Sequence, residues 1–495
     1  MLGYGTSNGN VTVVSGQTAE LNRALAEEAL RSQDVVVTAS RHEAKITNAP
    51  SSITVIPASD LREHVSATPM DALNAVPGMD VSSEGIAMAT YASRSMHSVF
   101  SSDVLTMNDY HSTELPGIGG FYGVLLAQQP DDIERIEVIR GPGSAMYGPD
   151  AATGVVHILT KSPLTSQGTN LSISGGERNY LDLGLRTASA ITDHFGVKVS
   201  GHYLRANDWS IADDPLEDTA RAHAMLLNST KDSITRIGRR DSSLELYSLE
   251  ARADAILSDD MTANLTAGLT RIVNNIALTE DFGGAQIKNW QYGFVSGRMT
   301  YGDLFLQAAY NTNNTNDSYF LPTGAPVVNK SSSYNFQLQH RYQPTTSEKL
   351  TYGADYQIIH PVSDSTLWGP EDGHANVTIM GGYLQSQTSL LEDQMELTLA
   401  GRVDKHSAVK DPIFSPRAAL VYHLGEDQVV RGMYNVTYLM PSQNKLFADI
   451  LYRSDAFGFR AMGLPGQFDL RYTTPNVSGT TFTHTAGDPS SWDMY

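Results

Sequence analysis

The sequence offers few residues whose types and spacing could carry out catalysis. Cysteine is absent, which excludes thiolate nucleophiles, disulfides and thiolate metal sites. The 14 His show no H-E-x-x-H pattern or other metal-ligand spacing. Neither a G-x-S-x-G turn nor a P-loop is present, and no element carries a compelling pair of carboxylates. The sequence therefore predicts a protein that is not an enzyme and that holds no metal or cofactor.

One segment could instead bind another protein through its backbone. Asp34, Val35, Val36, Val37 and Thr38 form a β-branched run with no partner strand nearby in the sequence. Such a run favours an extended strand that can add to the sheet edge of a partner. The alternative is an ordinary first strand of the domain that follows.

Strands must position any binding site. The segment 132–158 has the pattern of an alternating charged and apolar strand, a Gly/Pro turn at 140–143, and a second apolar strand. From residue 168 onward one residue in two is apolar, as in Leu181, Leu183 and Leu185, so each strand has an apolar and a polar face. This pattern predicts an antiparallel transmembrane β-barrel, with about 13 strands between residues 168 and 438.

Short turns and long loops alternate along the predicted barrel. The short turns fall near Asp193, Asp259, Gly302, Thr346, Asp393 and Glu426, and the long polar loops at 206–242, 274–289, 312–331 and 361–376. Trp209, Trp290 and Trp368 lie in or beside these loops, which suits either an aromatic belt at the membrane surface or a ligand-facing surface.

Charge and hydropathy narrow the class of protein further. The net charge is −20 and no basic stripe is present, so nucleic acid is not an expected partner. No run approaches the roughly 20 apolar residues of a membrane-spanning helix. A transmembrane β-barrel protein needs a signal peptide, but the N-terminus has neither the basic nor the apolar region of one. The start of the gene is therefore expected to be missing.

The segment 132–158 also resembles the most recognisable stretch of the plug domain of TonB-dependent outer-membrane receptors. That stretch reads D-I-E-R-I-E-V-x-R-G-P-x-S-x-x-Y-G-x-x-A-x-x-G-V-I-N-I, and His157 here replaces its usual Asn. The resemblance implies four regions. Residues 1–33 are similar to the tail of a carboxypeptidase-regulatory-like β-domain, 34–40 to the TonB box, 41–163 to the plug, and 164–495 to part of a barrel of the 22-stranded type.

Further motifs carry the resemblance, and two positions depart from it. Phe414-Ser415-Pro416-Arg417 resembles a barrel motif of the family. The family's Arg-Gly is replaced by Arg94-Ser95, and its Asp-Gly by Asp109-Tyr110. Because a missing glycine often changes a backbone turn, the apical plug loops are expected to differ from the family's usual shape.

The resemblance implies a receptor in the outer membrane of a Gram-negative-type bacterium. It would be a monomer in contact with outer-membrane lipid, and would import a scarce ligand, in the first place a ferric siderophore, with energy transmitted by the TonB protein. Asp34 to Thr38 would be the coupling segment. The residues implied in plug–barrel contacts are Arg94, Glu134, Glu137 and Arg140, with the arginines facing barrel carboxylates. The residues that could touch substrate are Tyr91, Tyr110, Phe121, Tyr122, Trp209 and Trp368, the first four in apical plug segments.

Several alternatives remain open. The ligand could be cobalamin or a glycan, or the plug could signal without transport. Because the strands are fewer than 22 and an open barrel leaves unpaired backbone groups in lipid, the chain is expected to be a fragment of a receptor. The alternatives are a fragment without function of its own and a barrel closed in another way. A soluble β-rich binding protein is the alternative from a different class.

Overall fold

The computed structural model of the chain describes most of the residues between 35 and 462. The described residues are 35–36, 44–45, 49–63, 67–95, 103–120, 122–126, 129–210, 217–226, 229–277, 284–372, 376–425, 428–451 and 460–462. The proposed regulatory-domain tail at 1–33, together with Asp34, Val37, Thr38 and Phe121, lies outside them. No helix in these ranges is long and apolar enough to cross a membrane.

A small mixed domain comes first. Its strands are β1 Val35–Val36, β2 Ala44–Lys45, β3 Ser52–Pro57, β4 Met79–Ser83, β5 Ala89–Ser93, β6 Val104–Asn108, β7 His111–Ser112, β8 Ile133–Arg140 and β9 Gly154–Thr160. Its helices are α1 Ala58–Glu63 and α2 Ser144–Tyr147, with 3-10 helices at Pro69–Ala75 and Gly123–Leu125.

The plug is organised around a five-stranded sheet in the order β3-β8-β9-β6-β7. β8 and β9 pair antiparallel, as the pattern at 132–158 predicts, and α2 lies in the turn between them. Apolar side chains of β8 and β9 pack against the 3-10 helix at Pro69–Ala75, where Met70 and Leu73 are fully buried. Thr68 caps that helix by accepting a hydrogen bond from the backbone N–H of Met70.

A large antiparallel sheet follows. Its strands are β10 Gly168–Gly175, β11 Leu181–Thr192, β12 Phe195–Asn207, β13 Ser243–Ser258, β14 Met261–Ala277, β15 Ala285–Tyr301, β16 Leu304–Asn314, β17 Tyr319–Phe320, β18 Ser332–Tyr342, β19 Glu348–His360, β20 Val377–Leu390, β21 Met395–His406, β22 Ile413–His423 and β23 Val429–Asn435. The loops carry α3 Glu217–Leu226, α4 Lys231–Arg236, a 3-10 helix at Gly369–Glu371, α5 Gln443–Phe447 and the hairpin of β24 Asp449–Leu451 and β25 Arg460–Met462.

This barrel sheet confirms the fold class predicted from the alternation. Its strands pair in chain order, apart from β17, which pairs with β15 and leaves 13 strands along the path of the sheet. Alternate residues separate cleanly: Leu249 and Leu384 are 55% and 54% exposed on the outer face, whereas Glu250 on the inner face is fully buried. An apolar outer face over a polar inner face suits lipid outside and water or plug inside, and argues against a soluble β-sandwich.

Two of the long loops differ from the prediction. The loop at 206–242 contains the helices α3 and α4. The loop at 274–289 is shorter, because β14 continues to Ala277 and β15 begins at Ala285. Side-chain amides hold these polar strand ends: Asn274 donates to the Ser243 carbonyl, and Gln286 donates to the Asn275 carbonyl.

Candidate functional site: the interface between plug and barrel sheet

The plug is held to the first strands of the barrel sheet by buried charges. Asp132, just before β8, accepts from Arg186 Nε at 2.8 Å and from Lys198 Nζ at 2.8 Å. Ser200 Oγ donates to the same carboxylate at 3.2 Å. The side chains of Asp132, Arg186 and Lys198 are at most 2% exposed. Water therefore cannot replace Arg186 or Lys198 at Asp132 unless the plug moves.

A second ion pair lies beside the first. Arg252 Nη1 on β13 contacts Asp109 Oδ2 of the plug at 3.2 Å and donates to Thr160 Oγ1 at 2.8 Å. Its other nitrogens donate to Asp254 at 2.7 and 2.9 Å, so each nitrogen of the guanidinium has a partner. We call Asp109, Asp132, Arg186, Lys198 and Arg252 the acid–base cluster.

The acid–base cluster sets the charge state of Asp109. Burial alone would raise the pKa of Asp109, but the positive charges of Arg252, Arg298 and Lys198 lower it to about 2. Asp109 is therefore ionised at neutral pH, and the contribution of this pair to stability is lost only as the pH falls toward that value.

The turn that carries Asp109 keeps a glycine-like backbone without glycine. Asp109 and Tyr110 have φ angles of 43° and 75°, in the left-handed region. Asp109 Oδ1 accepts from the Thr160 N–H at 3.0 Å, and the Tyr110 N–H donates to His157 Nε2 at 3.0 Å. Burial lowers the pKa of His157 to about 4, so its imidazole is neutral and can accept this bond. The departures at 109–110 and at His157 thus compensate each other, and a left-handed turn is retained.

The long-loop end of the interface is apolar and aromatic. Tyr122 of the plug meets the Trp290 ring edge-on at a centroid distance of 5.7 Å. Trp368, in the loop after β19, is fully buried in the same cluster and donates from Nε1 to Asn444 at 3.2 Å. A side chain added at Gly117 of the plug would collide with the Trp368 ring, so the plug backbone packs closely against this ring.

A polar cavity separates the plug from β18–β21. It has two neighbouring parts of about 70 and 40 Å³, and Glu114, Asp150, Gln357 and Ile379 line both. Arg402 lines the first part and His406 the second. We call this space the carboxyl cavity. Burial raises the pKa of Glu114 well above its usual range, with the charge of Asp150 as a second cause. Burial also raises the pKa of Asp150, and the charge of Asp404 adds to it.

The raised pKa of Asp150 predicts that the stability of the fold depends on pH. A carboxyl whose pKa is raised by folding stabilises the fold at low pH, and loses that contribution as the pH rises from 3.8 through about 6. We expect Asp150→Asn to gain stability relative to wild type across this window, by up to about 3 kcal/mol at pH 7. Urea unfolding in detergent at pH 4 and pH 7 measures the difference. Asp80→Asn, on an exposed plug strand, is the matched control, and equal pH profiles for the two variants would contradict the assignment.

The predicted plug–barrel residues make their described hydrogen bonds within the plug. Arg140 donates to the Pro77 carbonyl at 3.0 Å and to Ser52 Oγ at 2.7 Å. Arg94 is exposed and lies next to Arg140, which lowers the pKa of Arg140 after the larger effect of burial. Glu134 and Glu137 both pair with Arg135. Contact of Arg94 or Arg140 with barrel carboxylates stays a prediction. At the acid–base cluster the charges are arranged the other way, with the acids on the plug and the bases on the barrel sheet.

Among the described residues, two of the predicted substrate residues come together and the others lie apart. Tyr91 is buried inside the plug, with its hydroxyl bonded to Thr106. Tyr110 lies toward the short-turn end under Arg298, whose guanidinium carbon is 4.8 Å from the ring centroid, and so is not apical. Tyr122 and Trp368 share the buried aromatic cluster. Trp209 is 56% exposed, with Arg178 stacked on its ring at 4.9 Å.

Two residues of the predicted coupling segment are paired within the chain. Val35 and Val36 form a two-residue antiparallel ladder with Lys45 and Ala44. The prediction that no partner strand lies nearby is therefore wrong. Two residues are a short ladder, and no other strand in the described part of the chain pairs with Val35–Val36.

Sequence reasoning missed the acid–base cluster, although one signal was present. Glu250, Arg252 and Asp254 are charged residues at alternate positions, so they lie on one face of β13. Three charges on the inward face of a barrel strand indicate a polar partner inside the sheet. The described residues hold no group of three His, Asp or Glu side chains that could bind a metal ion.

Comparison with known proteins assigns both parts of the chain. Residues 45–155 match the TonB-dependent receptor plug domain, and residues 200–489 match the TonB-dependent receptor-like β-barrel. The vitamin B12 transporter BtuB of Vibrio vulnificus is 25% identical over 456 residues, which are 90% of this chain and 69% of that protein. The iron-regulated outer membrane virulence protein of Vibrio cholerae is 26% identical, over 86% of this chain and 63% of that protein.

Solved structures share the fold. The ferric enterobactin receptor PfeA of Pseudomonas aeruginosa, as a double mutant, superposes with a TM-score of 0.60 at 15% identity, over 86% of this chain and 70% of that one. The siderophore receptor PirA of Acinetobacter baumannii gives a TM-score of 0.59 at 17% identity, over 86% and 68%. The chain thus spans about two thirds of the length of these proteins.

Proposed function

Since the chain belongs to the TonB-dependent outer-membrane receptors, with a plug and a receptor barrel sheet, we propose that it takes up a scarce ligand across the outer membrane of a Gram-negative bacterium, with energy transmitted by TonB. The acid–base cluster is the observation that carries this proposal. It holds a folded plug against the inner face of the barrel sheet through buried charges, which is what a closed transporter needs. The chain would act as a monomer, with its apolar outer face in lipid.

The coupling step would use Asp34 to Thr38. A β-branched strand with a free edge can accept a strand of TonB by backbone pairing. Ligand binding would shift the equilibrium between a state in which Val35–Val36 pairs with Ala44–Lys45 and a state in which it is available. No bond of the substrate is broken in this scheme, so no catalytic residue is required.

The ligand would bind at the long-loop end. We favour a ferric siderophore, and cobalamin or a glycan is the alternative. The aromatic cluster that contains Tyr122 and Trp368 would form the floor of the site, and Trp209 would meet the ligand at its rim. An exposed indole paired with a guanidinium offers both a flat apolar surface and a positive charge, which suit an aromatic or anionic ligand group.

Uptake in whole cells tests the proposal. A bacterium without receptors of its own for these ligands would express the chain and receive labelled ferric siderophores of the catecholate and hydroxamate classes, or labelled cyanocobalamin. We expect uptake of one ligand class, and its loss in a strain without TonB. Absence of both binding and uptake for every ligand would overturn the proposal.

A pair of tryptophan variants separates binding from packing. We expect Trp209→Ala to weaken ligand affinity about tenfold with little change in stability, because the ring is exposed and stacked on Arg178. Trp368→Ala is the matched control, and its buried ring predicts a loss of about 3–5 kcal/mol in the free energy of unfolding. Titration with the identified ligand and urea unfolding measure the two effects. Unchanged affinity in Trp209→Ala would assign this residue to the membrane belt instead.

A further inference from the structure

The plug meets the barrel sheet differently on two sides. Toward β11–β13 it is joined by the acid–base cluster, in which Asp132 and Lys198 are completely buried. Toward β18–β21 the carboxyl cavity lies between the two domains. One side of the interface is therefore filled by paired charges and the other contains space.

The size and lining of the carboxyl cavity suit water. A water molecule needs about 10–15 Å³ of such space, so parts of about 70 and 40 Å³ each have room for a few. Carboxyl, amide and imidazole groups of Glu114, Asp150, Gln357 and His406 line it. Polar groups can form hydrogen bonds with water, so exposure to water in a wider cavity costs them little.

Two buried polar atoms favour a wider opening. His406 Nδ1 accepts from the Ala408 N–H at 3.0 Å, so the hydrogen of the neutral ring is on Nε2. That Nε2 is buried and has no hydrogen-bond partner among the described residues, and the same holds for Gln337 Oε1 on the cavity wall. A buried polar atom without a partner destabilises the closed arrangement, and it gains hydrogen bonds when water enters.

The opposite side resists opening. Separation of Asp132 from Arg186 and Lys198 would leave charges unpaired in a buried interface, which is strongly unfavourable. Opening is therefore easier on the side of the carboxyl cavity than on the side of the acid–base cluster.

From this asymmetry we infer that the plug parts from the barrel sheet along β18–β21 while the acid–base cluster remains closed, and that the substrate passes through the widened carboxyl cavity. Residues 440–443 line this passage toward the long-loop end of the sheet. Toward the short-turn end the passage reaches Asp355 and Arg402. The inference rests on the proposed transport function and adds the position of the path.

The absence of cysteine makes the test direct. Gln357→Cys places one thiol on the carboxyl cavity, and Ser200→Cys places one beside Asp132 on the other side. Both positions face inward from the barrel sheet. Intact cells would be treated from outside with a positively charged methanethiosulfonate reagent, with and without a proton uncoupler, in strains with and without TonB. Ser333→Cys, also on the cavity, replaces Gln357→Cys if that variant does not fold.

We expect TonB and energisation to increase the labelling rate of Gln357→Cys several-fold and to leave Ser200→Cys unchanged. An increase at Ser200→Cys alone, or an equal increase at both positions, would overturn the inferred path while leaving energy-coupled transport intact. If neither position responds to energisation or to TonB, the proposed coupling itself fails, and the inferred path fails with it.

Discussion

Asp132→Ala is expected to lower the free energy of unfolding by about 3–5 kcal/mol, the largest effect of any single carboxylate of the plug. The substitution leaves Arg186 and Lys198 buried without their shared partner, and both are at most 2% exposed. Neither side chain can reach water without displacing the plug. Urea unfolding in detergent, followed by tryptophan fluorescence, measures the change.

The adjacent residue provides a matched control. Asp131 pairs with Arg62 at 3.4 Å, where the two side chains are 25% and 53% exposed, so Asp131→Ala should cost less than about 1 kcal/mol. If the two alanine variants unfold at the same urea concentration, the acid–base cluster does not hold the plug. A second variant, Asp132→Asn, tests whether hydrogen bonds alone suffice, and we expect it to lie between Asp132→Ala and wild type.

Val36→Pro is expected to abolish energy-coupled uptake while ligand binding stays normal. Proline has no N–H and cannot donate to an added strand, so TonB would lose a central backbone hydrogen bond of the proposed coupling segment. The expected loss is at least about tenfold in initial uptake rate, which corresponds to 1.4 kcal/mol in the coupling step. Labelled ligand measures uptake in energised cells and binding in cells treated with a proton uncoupler.

Val36→Ile keeps the backbone donor and the β-branched side chain, and should transport at the wild-type rate. Normal uptake by Val36→Pro would assign the segment 34–38 to an ordinary strand of the plug. Reduced binding in that variant would show instead that the short ladder with Ala44–Lys45 supports the plug fold.

Local sequence patterns predicted the strands, because each strand carries its own alternation. The apolar faces of β11 and β18, the short turns at Asp193 and Asp259, and the β8–β9 pair all follow from residues close together in the chain. The helices α3 and α4 were missed because long polar loops give little periodic signal.

Contacts between distant segments were beyond the same reasoning. Asp132 and Lys198 are 66 positions apart, and Asp109 and Arg252 are 143 apart, so no local pattern links them. The prediction instead paired plug arginines with barrel carboxylates, on the strength of the family resemblance. The turn at Asp109-Tyr110 shows a related limit, since its left-handed backbone depends on Thr160 and His157, which lie about 50 residues downstream.

Burial of the acid–base cluster has a consequence for the ionic strength at which the protein can work. Dissolved salt screens exposed charges over about 8–10 Å of water, but it acts much less on ion pairs that water does not reach. The hold of the barrel on its plug should therefore be nearly the same in dilute and in saline surroundings. The exposed Lys330–Asp364 pair at the long-loop end lies in contact with solvent and should weaken as salt rises. Changes in the outer medium would thus alter the exposed charges of the loops, and would leave the contact between plug and barrel sheet unaffected.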